Sequence, residues 1–156
     1  MKTIMPNSIQ LEIVTPERQL LSESVDSVQL PGADGELGIL PGHAPLMTAL
    51  GIGELPYRNG QETGHLAIIR GFSEVLPDRV SVLAEIAEHA GEIDVERAKA
   101  ARERAEKRLA SGSAANIDWD RATAALQRSL VRLHVATRGV AAPSVPHEGR
   151  RRHPSI

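Results

Sequence analysis

Apolar and polar side chains alternate in the first part of the chain with the period of β-strands. Residues 9, 11 and 13 are aliphatic and residues 10 and 12 are polar, the pattern of a half-buried strand. Asn59-Gly60 has hairpin-turn chemistry, since both residues tolerate a positive φ. The pattern predicts an N-terminal antiparallel β-sandwich or flattened barrel over residues 1–90. Further short apolar runs follow the first: 25–30, 66–69 and 80–83.

The hydrophobic period changes to that of a helix at Asp94. Asp94 and Asp118 are suitable N-caps for helices over 95–110 and from 119 to about 137, because a carboxylate accepts from free N–H groups of the first turn. Ser111-Gly112-Ser113 and Gly139 are expected to end them. The short linker predicts an antiparallel two-helix hairpin, so the fold class is α+β, with a hairpin domain over 91–138.

Small side chains form one stripe on each predicted helix. Residues three and four positions apart share a helix face. Facing stripes of small residues let two helices approach closely, but they bury little apolar area and hold weakly. The hairpin is therefore expected to open or to dock elsewhere. The stripes are Ala98, Ala101, Ala105 and Leu109 on the first helix, and Ala122, Ala125, Leu126, Ser129 and Leu133 on the second.

The segment 35–53, GELGILPGHAPLMTALGIG, is an apolar ribbon interrupted by glycines and two prolines. Proline fixes φ and removes a backbone donor, so the segment cannot be a helix. It contains almost no chemistry-bearing groups. Its composition predicts a buried or docking surface.

Composition narrows the function classes. The three aromatic residues leave an aliphatic core, and the absence of cysteine excludes disulfides and thiolate sites. The N-terminal residues lack a signal-peptide apolar block, and no apolar run is long enough to span a bilayer. Residues 139–156 contain three prolines and Arg150-Arg151-Arg152. We expect this tail to be disordered and solvated rather than bound to nucleic acid or lipid.

Charge divides the chain into an acidic and a basic part. Residues 1–93 carry 5 Lys+Arg against 13 Asp+Glu, and residues 94–138 carry 10 against 6. The asymmetry indicates two units with different partners.

Candidate catalytic and metal sites are weak in this sequence. None of the six histidines has metal-ligand spacing to a nearby carboxylate. Ser73 does not satisfy the G-x-S-x-G pattern, and no glycine-rich phosphate loop precedes a helix. We expect no catalytic and no metal residues. A hydrolase of sandwich fold that uses His43 is a rival hypothesis.

Four arginines could meet at one edge of the hairpin. Arg97 and Arg104 are seven positions apart, and Arg128 and Arg132 are four apart, so each pair shares a helix face. Guanidinium groups bind phosphate oxygens with paired N–H donors. From spacing alone we favour the alternative that the arginines are solvated or paired with Glu103 and Glu106.

The ribbon resembles the signature of the epsilon subunit of the bacterial, rotary, proton-translocating ATP synthase. The segments 26–28, 71–75 and 80–85 match further family segments, and the resemblance extends over about residues 9–137. Arg70 departs from the family, where many members have a second glycine, which puts only the local turn in doubt.

The resemblance implies a non-catalytic central-stalk subunit that takes part in ATP synthesis and proton transport. The family's fold is an antiparallel β-sandwich of about ten strands followed by a regulatory helical hairpin. Its sandwich would bind the gamma subunit and the membrane c-ring, and its extended hairpin would meet the alpha and beta subunits and inhibit ATP hydrolysis. It would be peripheral, on the cytoplasmic face of the bacterial cell membrane, touching the membrane only through the complex and binding no nucleic acid. Residues implied in partner binding are Glu36, Leu40, His43 and Leu46.

Some members of this family bind ATP in the folded hairpin through the motif Ile/Leu-D-x-x-R-A, which residues 93–98 match. ATP would then be a regulatory ligand, and no cofactor is required. Two alternatives stay open: a free-standing nucleotide sensor without a rotor partner, and a scaffold protein that binds a partner but senses nothing. Residues at the implied ATP-binding positions are Glu88, Asp94, Arg97, Ala98, Arg104, Arg128 and Arg132.

Overall fold

The computed structural model describes residues 7–111 and 118–138. Seven strands are followed by a 3-10 turn at Ala90–Glu92 and two helices, α1 (Val95–Ala110) and α2 (Trp119–Arg138). The strands are β1 (Ile9–Val14), β2 (Gln19–Val25), β3 (Ser27–Gly32), β4 (Gly35–Ile39), β5 (Leu46–Asn59), β6 (Glu62–Leu76) and β7 (Arg79–His89).

The strands form one hydrogen-bonded sheet in the order β2-β1-β7-β6-β5-β3-β4. Neighbours are antiparallel except β1 and β7, which are parallel. The predicted sandwich is confirmed, but its strand number is seven among the described residues rather than about ten. The parallel pair is a further departure from the all-antiparallel expectation.

The strand number is lower because three strands are long and change face midway. In β6, Leu66 and Ile68 face the core before the change, and Val75 faces it afterwards. The change occurs at Arg70 and Gly71, which both have positive φ. From the sequence alone, such a segment looks like two short strands. It is one strand that crosses between the two layers of the sandwich. Strands β5 and β7 change face at the same level, and all seven strands enclose one aliphatic core.

The two helices begin where the sequence predicts. The Asp94 Oδ1 atom accepts from the Arg97 N–H, and the Asp118 Oδ1 atom accepts from the Arg121 N–H, each at 3.1 Å. Ala98, Ala105, Ala122 and Ser129 are buried between the helices, as the stripes predict. No helix in the described part of the chain is long and apolar enough to cross a membrane.

Three expectations fall outside the described residues. They concern the first six residues, the Gly112-Ser113 part of the signal that ends α1, and the tail 139–156 with its predicted disorder.

Candidate functional site

A cavity of about 540 Å³ opens between α1 and α2 and is lined by five arginines. Its other walls are acidic side chains near the start of α1 and small side chains on both helices. The arginines are Arg97, Arg104, Arg108, Arg128 and Arg132, and the acids are Glu88, Glu92 and Asp94.

The helix period brings the arginines together. Arg97, Arg104 and Arg108 follow one face of α1, and Arg128 and Arg132 follow one face of α2. The stripes of small side chains lie beneath them and allow the helices to approach. Large residues there would fill the cavity, so the alanines that make the hairpin weak also make the space.

Most of the cationic groups are free of carboxylate partners. Arg132 pairs with Glu88 on β7, with 2.7 Å between Nε and Oε1. Within the described ranges, no carboxylate oxygen lies within 4.0 Å of the guanidinium nitrogens of the other four arginines. Clustered like charges repel, so a bound anion would stabilise this arrangement.

Glu92 fixes the turn that leads from the sandwich into the hairpin. Both of its carboxylate oxygens accept from Arg18 Nη2 at 2.8 Å, and Oε2 also accepts from the His89 N–H at 3.1 Å. Burial raises the pKa of Glu92, but these hydrogen bonds and the charge of Arg18 outweigh it, so the pKa lies below its ordinary value of 4.5. Glu92 is therefore ionised at neutral pH.

The chemistry of the cavity suits an anion with several oxygens. Forked guanidinium donors from both helices can each bind two oxygens of a phosphate chain. Asp94 and Glu88 are acceptors near the start of α1, where a ligand's N–H or O–H groups would find partners. No set of three or more His, Cys, Asp or Glu side chains suited to a metal ion occurs within the described ranges.

The structure brings the seven sequence-predicted ATP-site residues around this one cavity. The alternative that Glu106 pairs with those arginines is wrong, because Glu106 pairs with Arg102 at 2.9 Å. Sequence reasoning missed Arg108 and Glu92. Arg108 lies four residues after Arg104, a spacing that could have found it, whereas Glu92 lies in a turn with no periodic signal.

The residues predicted for partner binding lie on β4, in the loop after it and at the first position of β5. Glu36 and Leu46 line a small cavity of about 270 Å³, and Leu40 borders a second groove with Tyr57. The structure does not bring the four into one site. His43 lies in the loop, where its Nδ1 atom is 2.7 Å from the carbonyl oxygen of Ala44.

A catalytic role for His43 finds no support in its surroundings. Its contact with the Ala44 carbonyl is the one side-chain hydrogen bond that it makes among the described residues. Ser73 is buried and donates to the carbonyl oxygen of Ser81 at 3.1 Å. Among residues 7–111 and 118–138, neither side chain has the paired base that a nucleophile or proton carrier requires.

An exposed apolar row crosses the outer face of the sandwich. Ala49, Phe72 and Leu83 are cross-strand partners on β5, β6 and β7, and we call them the outer row. Phe72 is 59 % exposed and Leu83 is 60 % exposed, and Met47 nearby is also exposed. Large apolar side chains grouped on a surface are typical of protein interfaces.

Sequence models of one family match nearly the whole described chain. The β-sandwich domain of the ATP synthase delta/epsilon chain matches residues 8–90, and the long α-helix domain of the same chain matches residues 92–137.

Individual proteins agree with that match. A protein named ATP synthase epsilon chain from Syntrophobacter fumaroxidans is 57 % identical over 132 residues, which cover 85 % of this chain and 98 % of that protein. One from Solibacter usitatus is 51 % identical over 132 residues, covering 85 % and 98 %.

Two solved assemblies contain similar chains. A chain of the Euglena gracilis mitochondrial ATP synthase, solved with OSCP, F1 and c-ring, superposes with a TM-score of 0.74 at 25 % identity, covering 88 % of this chain and 86 % of that one. A chain from the central stalk and c-ring of the Tetrahymena thermophila enzyme gives 0.53 at 13 % identity, covering 89 % and 100 %, which shows likeness of fold.

Proposed function

The chain belongs to the family of ATP synthase delta/epsilon chains, and we propose that it is an epsilon-type central-stalk subunit whose helical hairpin responds to ATP and restrains ATP hydrolysis. As a member of this family it is a non-catalytic subunit of the ATP synthase complex. The observation that carries the proposal is the cavity lined by five arginines from two helices.

The size and charge of the cavity favour a nucleotide. Ligand cavities of about 300–1,000 Å³ hold small molecules of that class, and this one has about 540 Å³. A triphosphate would engage the arginines, and the base or ribose would face Asp94 and Glu88. The side chains of Ala98 and Ala101 leave room for a flat ring between the helices.

ATP would regulate the hairpin by shifting its conformational population. A ligand stabilises one state only as far as it binds that state better than the other. The cavity needs Arg97 and Arg104 from α1 together with Arg128 and Arg132 from α2, so it exists only when the hairpin is closed. High ATP therefore favours the closed state.

An open hairpin would then act on the catalytic part of the complex. Residues 94–138 are basic, with 10 Lys+Arg against 6 Asp+Glu. We infer that the extended helices meet acidic surfaces of the alpha and beta subunits and block rotation, with charge steering the contact. A low ATP concentration releases the hairpin, and the released hairpin restrains ATP hydrolysis.

The sandwich would attach the molecule to the rotor. We propose that the outer row packs against the gamma subunit, because it is apolar, exposed and outside the area that α2 covers. The β4 edge and its following loop, with Glu36 and His43, would face the c-ring or gamma. The subunit would be peripheral at the cytoplasmic face of the bacterial membrane, held there by its partners.

Titration of ATP into the isolated chain tests the nucleotide site. Amide resonances near Arg97 and Arg128 should shift together at ATP concentrations up to the millimolar range. Arg128→Gln should weaken ATP binding about tenfold or more, since it removes a charged donor to phosphate.

Arg121→Gln is the matched control, because Arg121 lies on α2 and does not line the cavity. It should leave ATP affinity unchanged. Absence of any shift in the wild-type chain at millimolar ATP would refute nucleotide sensing and leave the stalk role standing. Equal loss in the two variants would mean that net charge alone attracts ATP.

A further inference from the structure

We propose that Glu54 is a latch that holds the closed hairpin against the sandwich without any need for nucleotide. Its physiological meaning depends on the proposed regulation by the hairpin, but the docking itself is a property of the chain alone. The latch would set how often the hairpin leaves the sandwich before ATP has any influence.

The sandwich presents a row of two acids around a small residue to α2. Glu54 on β5, Ala67 on β6 and Glu88 on β7 are direct cross-strand partners. Ala67 is 1 % exposed, whereas Ala49 in the outer row is exposed. The row therefore marks where the helix lies on the sheet.

Helix α2 carries side chains that are complementary to this row in charge and polarity. Val135 packs with Ala67 and Ile93 in a small apolar cluster. On one side of it, Arg132 pairs with Glu88. On the other side, His134 and Arg138 approach Glu54. Along α2, Arg132, Val135 and Arg138 therefore face Glu88, Ala67 and Glu54 in turn.

Glu54 is the most connected side chain of this interface. Its Oε2 atom is 2.9 Å from His134 Nε2, and its Oε1 atom is 3.8 Å from Arg138 Nε. Oε1 also contacts Nδ1 of His65 from the neighbouring strand β6. The carboxylate is only 18 % exposed, so its contacts are screened less than those of a surface pair.

The latch is separate from the arginine-lined cavity. None of Glu54, His65, His134 and Arg138 lines the cavity. The Glu88–Arg132 pair, by contrast, borders it. One side of the interface can therefore respond to a ligand while the Glu54 side is indifferent to it.

Reactivity of a cysteine placed under α2 measures the latch. The wild-type chain has no cysteine, so Ala67→Cys gives a single thiol, which a maleimide reaches only after the hairpin leaves. At one pH and without nucleotide, adding Glu54→Gln should raise the modification rate about fivefold. Glu62→Gln, an exposed acid on β6, should leave the rate unchanged.

A double-mutant cycle separates the latch from a local effect on the thiol. Loss of a nearby negative charge also makes a thiol more reactive, and that effect does not depend on α2. In a His134→Gln/Arg138→Gln background the rate should already be raised, and Glu54→Gln should then add nothing. A full fivefold effect in that background would overturn the proposal.

Two more measurements distinguish release of the hairpin from unfolding of the sandwich and from loss of nucleotide binding. Unchanged circular dichroism and thermal midpoint of the sandwich must accompany the faster modification, and equal rates for the wild-type and Glu54→Gln chains would refute the latch. Adding millimolar ATP should slow modification by the same factor in both. Failure of ATP alone to slow it would count against the nucleotide site and would not touch the latch.

Discussion

Arg70 holds a backbone conformation that side-chain-bearing residues seldom adopt. Its φ is 55°, and the next residue, Gly71, has a φ of 147°. A Cβ on Gly71 would lie 2.0 Å from the carbonyl oxygen of Leu83, so glycine is required there. Arg70 has a Cβ, and holding it in the left-handed region costs about 1–2 kcal/mol of folding free energy.

Arg70→Gly is therefore expected to stabilise the sandwich. Relief of backbone strain should exceed the entropy that glycine adds to the unfolded chain, for a net gain of about 0.5–1 kcal/mol. Urea denaturation measures it. Arg79→Gly, in the ordinary strand β7, should lower stability by a similar amount. A loss of stability in Arg70→Gly would show that the arginine side chain stabilises the bend.

The Arg18–Glu92 pair stabilises the turn between the sandwich and the hairpin, and this stabilisation depends on pH. Because the folded-state pKa of Glu92 is lowered from 4.5, the pair stabilises the fold above that pH, and the contribution is lost as pH falls through the folded-state value. Arg18→Gln should cost up to about 1 kcal/mol at pH 7, since both side chains are partly exposed.

The difference between the wild-type chain and Arg18→Gln should shrink as pH is lowered from 5 toward 3. Urea midpoints at a series of pH values measure it, with Arg121→Gln as a variant that removes a charge without breaking an ion pair. If the difference stayed constant down to pH 3, Arg18 would not be the cause of the lowered pKa of Glu92.

At the scale of the elements, the close approach of α1 and α2 depends on small side chains. Ala98 is 4 % exposed and lies in the seam between the helices. Ala98→Leu should force the helices apart and destabilise the closed hairpin by about 1–3 kcal/mol. Thermal loss of helical circular dichroism should begin at a lower temperature, and ATP affinity should fall with it.

Lys99→Leu adds the same side chain on the exposed face of α1 and should leave both quantities nearly unchanged. If Ala98→Leu instead raised the melting temperature of the helices, the seam would have spare room. The cavity would then not depend on tight packing.

The sequence predicts the elements better than it predicts their contacts. The caps at Asp94 and Asp118 and the stripes of small residues depend on neighbours in the chain, so periodicity reveals them. The face change at Arg70 depends on which layer the strand enters, and alternation alone reads it as a break.

The site divides in the same way. The arginine pairs share helix faces by spacing, and the structure brings them round one cavity. Glu54 and its contact with His134 join residues 80 positions apart, and no local pattern encodes where α2 lies on the sheet. The latch could be found only after the hairpin was placed.

For the molecule as a whole, one part of the sandwich surface is covered by the hairpin and another part is open. Helix α2 covers Ala67 and its neighbours, whereas Phe72 and Leu83 are exposed. Phe72→Ser combined with Leu83→Ser should weaken binding to the gamma subunit about tenfold to a hundredfold, because both apolar anchors are lost. Calorimetry or surface plasmon resonance measures it.

Leu130→Ser is the control, since Leu130 is a 43 % exposed apolar residue on the hairpin rather than the sandwich. It should bind gamma as the wild-type chain does. Unchanged affinity in the Phe72→Ser/Leu83→Ser variant would mean that gamma uses another surface, with the β4 edge and His43 loop as the next candidate.

We propose that a closed hairpin releases ATP hydrolysis and that an open one restrains it, and a reversible crosslink between the hairpin and the sandwich tests this in the assembled complex. Cysteines replacing Ala67 and Val135, which pack in one cluster, can be joined by a short reducible crosslinker in a chain that has no other cysteine. Hydrolysis by the assembled complex is then measured at low ATP. We predict full activity while the hairpin is locked to the sandwich and renewed inhibition once the link is reduced; a locked chain that inhibits as strongly as the free one would contradict the account.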